Sequence, residues 1–209
     1  MLMGALRIGV DLDANVDDLY LWFRRLLKRR FRLDIKFEEL VAFNVEELER
    51  IKAVKSGPTF ARTVFATPFI YECAKPLPGA VETLNKWHKQ SHEIWFVTAR
   101  PKYLRPVTLA WLEKNNLGWA KNKVIFRDLW GDDRAKFKCS VARKLDLHVF
   151  IEDEARVIKA IKSPSLMAKL VLRYPWNINE DIGQATFVKN WRQIDQIVQN
   201  MSHKVDKNL

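Results

Sequence analysis

Arg7-Ile8-Gly9-Val10-Asp11-Leu12-Asp13 is the stretch whose reading decides the fold. A short apolar run stops at two aspartates spaced i and i+2, and a run of that length bounded by polar residues reads as a buried strand. Side chains two residues apart leave an extended chain in the same direction, so the two carboxyl groups share one face. Carboxylates are hard oxygen ligands for Mg²⁺, and an ionised aspartate can attack phosphorus. Asp-x-Asp also occurs in solvated turns. The pair therefore gains meaning only if later strands end in groups that complete a site.

Further short runs rich in β-branched or aromatic residues lie at 93–97, 123–126, 147–151 and 169–172, with the first strand at 6–10. Helical patterns separate them at 78–90, 103–115, 134–145 and 154–162, and a last helix is expected at 189–201. Alternation of this kind predicts an α/β fold, a three-layer Rossmann-like parallel sheet with helices on both faces. The span 16–75 breaks the rhythm. It shows no strand pattern, but Leu19, Trp22, Phe23, Leu26 and Leu27 repeat at helical spacing, as do Phe37, Leu40, Val41, Val45 and Leu48. It is expected as a small helical cap inserted after the first strand, leaving 1–15 and 76–201 as the core and 202–209 as a frayed polar tail. A cap in that place can exclude water and select the substrate.

The chain has 209 residues, 48% of them hydrophobic, with eight Trp and twelve Phe, enough for a sizeable core. No apolar run reaches the roughly 18 residues that a membrane span needs, and the N-terminus lacks a signal-like segment. Cys73 and Cys139 fit no metal or disulfide spacing and read as small hydrophobes in a reducing, cytoplasmic setting. The net charge of +11 favours anionic partners: nucleotides, phosphorylated metabolites or nucleic acid. The basic run from Arg24 to Arg32 reads as the solvated face of an amphipathic helix, or as a wall facing an anion.

In open parallel sheets, ligands bind outside the carboxyl ends of the strands. The first strand ends in Asp11 and Asp13, the second in Thr98-Ala99-Arg100-Pro101, and the fourth in Glu152-Asp153-Glu154. Carboxylates gathered at one point repel unless a cation separates them, and with no His or Cys cluster nearby that cation is Mg²⁺. Asp11 is placed to attack phosphorus, and Asp13 to protonate a leaving oxygen. Thr98 can hydrogen-bond phosphoryl oxygens, and a lysine can stabilise developing charge. Asp132 and Asp133 read as a cap for the helix that follows them.

These segments, with Pro78-Gly79-Ala80 and Pro175-Trp176-Asn177, resemble the haloacid dehalogenase-like phosphohydrolases, and within them the cytosolic 5′(3′)-deoxyribonucleotidase group. The resemblance runs in order from Leu6 to Asn177, with little likeness in the inserted span. It implies an Mg²⁺-dependent phosphomonoesterase working through an aspartyl-phosphate, with Asp11 as nucleophile, Asp13 as general acid/base and Thr98 on the phosphate. Asp11, the main-chain carbonyl of Asp13 and Asp153 would hold the metal, with Glu152 beside it. The active-site lysine falls on Lys138, with Lys136 as the alternative. Ala99 and Arg100 are further candidate phosphate contacts. The chain departs from the pattern at Asn15, where the family has Thr or Val, and at Glu152, where it commonly has Asp.

The implied substrate is a small phosphate ester, a nucleotide or deoxynucleotide monophosphate. Two other expectations share the fold: an end-phosphatase using the +11 charge to hold nucleic acid, and a non-catalytic phospholigand-binding domain. Trp22, Phe60, Phe65 and Phe69 are candidates to stack on a base, though such residues more often simply pack. The histidines, His88, His92, His148 and His203, show no pairing with a nucleophile and read as structural.

Overall fold

The structure, a computed structural model, describes residues 4–128, 133–166 and 168–207, with side chains as far as 204. In chain order the elements are β1 (Arg7–Val10), β2 (Asp17–Asp18), α1 (Leu19–Phe31), α2 (Glu49–Lys52), α3 (Gly57–Ala66), α4 (Pro68–Cys73), β3 (Lys75–Pro76) and α5 (Ala80–Lys89). There follow β4 (Glu93–Pro101), α6 (Arg105–Lys114), β5 (Val124–Arg127), α7 (Arg134–Lys144), β6 (Val149–Glu152), α8 (Ala155–Ala160), β7 (Ala168–Leu172), β8 (Thr186–Val188) and α9 (Trp191–Lys207).

Six strands form one sheet in the order β5-β4-β1-β6-β7-β8, and every pairing in it is parallel. The chain runs outward from β1 through β4 to β5, then returns to β6 on the other side of β1. Strand order therefore reverses at β1, and a crevice is expected at its carboxyl end. Alternate strand residues face opposite layers. Ile8, Val10, Ile94 and Phe96 join a core with Trp87, Trp111 and Trp191, whereas Val97 and Phe150 pack with Val141, Ala142, Val157 and Ile158 of α7 and α8. Gly9 lies where a Cβ would come within 2.5 Å of a Leu147 methyl and 2.8 Å of the Phe150 ring, so a larger residue there would displace those packed side chains.

The inserted span is helical as expected, but two further features appear. Its two ends pair as a short antiparallel ribbon, Asp17 with Pro76 and Asp18 with Lys75. Between them α1, α3 and α4 bury their own apolar cluster, including Phe23, Leu27, Ile35, Ile51 and Ile70, which also takes in Leu104 and Trp176. In the basic run, Arg25, Lys28, Arg29, Arg30 and Arg32 are exposed, which a solvated face and a wall for an anion both require. At the other end of the chain, α9 continues to Lys207, so the tail expected from Ser202 is helical that far, and Ser202 is buried with its hydroxyl on the Gly4 carbonyl. Cys73 and Cys139 are free thiols and half-buried rather than fully buried.

Candidate active site

The carboxyl end of β1 is shaped by one curl of backbone. The Asp11 amide donates to the Ile151 carbonyl at 3.0 Å, which carries the β1–β6 pairing one residue past the strand. The amides of Asn15, Val16 and Asp17 then all turn to the Leu12 carbonyl, at 3.2, 2.8 and 3.2 Å. Ala14 takes a left-handed conformation (φ 58°) to make that turn. Tyr174 donates its hydroxyl to the Ala14 carbonyl at 2.6 Å, and the Trp191 indole donates to the Asn15 carbonyl at 2.7 Å. The curl is thus fixed from two sides, with the Asp13 carbonyl and the Asn15 side chain brought back over Asp11.

Asp11, Glu152 and Asp153 each offer a carboxylate oxygen within 4.8 Å of the others, and all three residues are buried. Lys138, also buried, places Nζ 2.9 Å from Asp11 Oδ1 and donates to Glu152 Oε2 at 2.7 Å. Lys136, the alternative, is exposed on the outer side of α7. Glu152 turns its other oxygen onto the backbone, accepting from the amides of Asp153 and Glu154 at 3.1 and 3.2 Å. Asp153 accepts from the Trp176 indole at 3.1 Å, and its main-chain carbonyl accepts from Asn177 at 2.8 Å. Burial, reinforced by Glu152, pushes both Asp11 and Asp153 well above the usual carboxylate range. Burial alone would lower Lys138, but Asp11 and Glu152 outweigh it and hold the ammonium charged.

Three buried carboxyl groups share one ammonium, and the raised proton affinity of Asp11 and Asp153 marks a place where a cation would favour their ionised forms. The donors are all oxygen and all hard, so the residues fit a divalent cation such as Mg²⁺. A second ion-pair cluster adjoins the first. Arg100 donates to Asp13 Oδ1 from Nε at 2.8 Å and from Nη2 at 2.6 Å, and the same Nη2 pairs with the buried Asp17. Its Nη1 donates to Thr108 at 3.1 Å, and its guanidinium lies 4.3 Å over the Tyr71 ring. Arg100 was a candidate phosphate contact. Buried and spent on Asp13 and Asp17, it instead orients Asp13 and ties that residue to the neck of the insertion. Burial pushes Asp17 up to about 7 against the pull of Arg100.

A cavity of about 540 Å³ opens above these groups, with Asp11, Asp13, Ala99, Arg100, Lys138 and Asp153 in its floor. Thr98, expected on the phosphate, does not line the cavity: it is fully buried, its hydroxyl accepting the Arg100 amide at 3.2 Å. The insertion supplies the facing wall with Tyr20, Phe43, Phe65 and Arg62. Of the four aromatics that were candidates to stack on a base, Phe65 alone lines the cavity. Trp22 and Phe60 pair with Phe69 and Phe31 instead. Asp133 caps α7 by accepting from the amides of Ala135 and Lys136 at 2.9 and 3.3 Å, as expected, while Asp132 lies outside the described residues. The sequence reading passed over Tyr20, Phe43, Asp17 and the structural parts of Trp176 and Asn177. For the last two a signal existed, since Pro175-Trp176-Asn177 follows a strand end.

The fold is similar to that of solved haloacid dehalogenase-like hydrolases. A Streptococcus pneumoniae haloacid dehalogenase-like family hydrolase superposes with a TM-score of 0.66 at 10% identity, covering 93% of this chain and 98% of that one. A haloacid dehalogenase family hydrolase from Deinococcus radiodurans, solved with bound phosphate and sodium, gives a TM-score of 0.64 at 14% identity over 95% and 96% of the two chains. By sequence, the chain is similar to a Halalkalibacterium halodurans protein named "Putative nucleotidase", 22% identical over 90% of this chain and 89% of that one. The family model described as the LNS2 domain of PITM 1–3 matches residues 59–156. A Bacillus subtilis protein that also carries the name "Putative nucleotidase" is 20% identical over 95% of this chain and 96% of that one.

Proposed function

We propose that this protein is an Mg²⁺-dependent phosphomonoesterase whose nucleophile is Asp11. The observation that carries the reading is the Asp11–Lys138–Glu152–Asp153 cluster at the carboxyl end of β1, three buried carboxyl groups gathered around one ammonium. Asp11, the Asp13 carbonyl and Asp153 would hold Mg²⁺, which supplies charge neutralisation for a phosphate approaching a carboxylate. An Asp11 oxygen forms a bond to phosphorus while the bond from phosphorus to the ester oxygen breaks. The departing oxygen takes a proton from Asp13. Water then attacks the phosphorus of the aspartyl-phosphate and returns a proton to Asp13, releasing inorganic phosphate and restoring Asp11. Both Arg100 bonds land on Asp13 Oδ1, which leaves Oδ2 for the leaving group. Lys138, bound to Asp11, stabilises charge on the transferring phosphoryl group.

The substrate best supported is a nucleoside or deoxynucleoside monophosphate. The relatives' names favour it, and the cavity matches a ligand of that size, with the insertion acting as a cap whose Tyr20, Phe43 and Phe65 can face a base. The exposed basic side of α1 favours a second reading, an end-phosphatase on nucleic acid. Phosphate release from mononucleotides and from 5′- or 3′-phosphorylated oligonucleotides, each with Mg²⁺ and with chelator, separates the two. Mononucleotide turnover that stops with chelator is expected. Turnover confined to oligonucleotides and falling steeply with salt would favour the second reading, and hydrolysis of neither would leave a phospholigand-binding domain.

A further inference from the structure

Asn15 is buried to zero exposure, and its side-chain nitrogen meets three oxygens at once. It donates to Asp153 Oδ1 at 2.9 Å and to the Asp13 main-chain carbonyl at 3.0 Å, and lies 3.4 Å from Asp11 Oδ2. These come from the same three residues that would surround Mg²⁺ in the function proposed above. We infer that Asn15 is a positioning residue that gathers the metal-ligand oxygens of this site into one triangle. The inference rests on that proposed function, which it deepens.

The physical case runs through repulsion. Two of the three oxygens belong to carboxylates, and holding them together in a buried place costs free energy that an amide donor partly offsets before any cation arrives. A primary amide has two hydrogens for this task, a threonine hydroxyl one and a valine none. Asn15 is itself held, since its main-chain carbonyl accepts from the Trp191 indole. The other oxygen of Asp153 is fixed independently by Trp176. Asn15 therefore sets where Asp153 and the Asp13 carbonyl sit relative to Asp11, while its neutral side chain leaves the charge deficit for a divalent cation.

Titration calorimetry with Mg²⁺ alone, on wild type, Asn15→Ala and Asn15→Leu, tests this without turnover. The leucine variant keeps the branched heavy-atom shape of the side chain without its donor, and serves as the second variant if the alanine variant fails through a cavity. Outer partners of metal ligands typically contribute 10–100-fold in affinity, and a loss of about that size is expected in both variants. Asn15→Thr, which keeps one donor, should fall between them and wild type. A folded Ala or Leu variant that binds Mg²⁺ as tightly as wild type would overturn the role given to Asn15 and leave the metal reading standing. Wild-type protein that binds no Mg²⁺ would overturn both.

Discussion

Lys138 shows how much one side chain carries. It is the one ammonium bonded to both Asp11 and Glu152 in a buried cluster. Lys138→Met leaves these carboxylates without it, and loss of one partner from a buried ion pair costs about 3–5 kcal/mol. A fall of that size in unfolding free energy by urea titration is expected, partly recovered with Mg²⁺. Asp11→Asn removes the proposed nucleophile while keeping its shape. Turnover should drop by about three orders of magnitude or more, with the denaturation midpoint little lower than wild type. Asp11 and Asp153 stood out as candidates because each lies at the end of a short apolar run that reads as a buried strand, and Asp13 because it lies two residues past Asp11. Arg100 was visible as a strand-end residue, but the direction of its guanidinium was not, because the partner that decides it, Asp17, lies in the insertion. Asn15 stood out only as a departure, and its bonds depend on a backbone curl through left-handed Ala14 that no residue type there announces.

At the scale of elements, β1 is anchored at its start by two histidines. The Leu6 amide donates to His92 Nδ1 and the Arg7 amide to His148 Nδ1, each at 3.1 Å. Each ring accepts with a nitrogen that protonation would convert to a donor, and burial holds both below the ordinary value of 6.5. The unfolded chain therefore binds more protons than the folded one as pH falls through about 6.5, so these rings contribute stability that is full above that value and lost below it. The midpoint of thermal unfolding should fall between pH 7 and pH 5. His92→Asn, whose carbonyl can accept the same amide, should flatten that fall. The long buried strands were readable from sequence because both faces are apolar. β2, β3 and β8 were not, since two or three residues are too few to show a period.

Across the whole molecule, one apolar cluster per layer builds the core and another builds the insertion, and the cavity lies where they meet. The insertion was legible as helical, but not which of its aromatics face the cavity, because that follows from tertiary packing rather than helical spacing. Phe43 lines the cavity and is only partly buried, with the Arg134 guanidinium 4.6 Å over its ring. Base–aromatic stacking contributes about 1–3 kcal/mol, so Phe43→Ala should raise KM for a mononucleotide by about tenfold, with kcat nearly unchanged. A small phosphomonoester without a base should show no such change. The central claim is that the phosphoryl group passes through Asp11, and acid-quenched turnover followed by peptide mass analysis tests it most directly. One phosphoryl group on the peptide containing Asp11, absent in Asp11→Asn, is the result expected. Turnover that persists in Asp11→Asn, or a phosphoryl group carried on another residue, would contradict it.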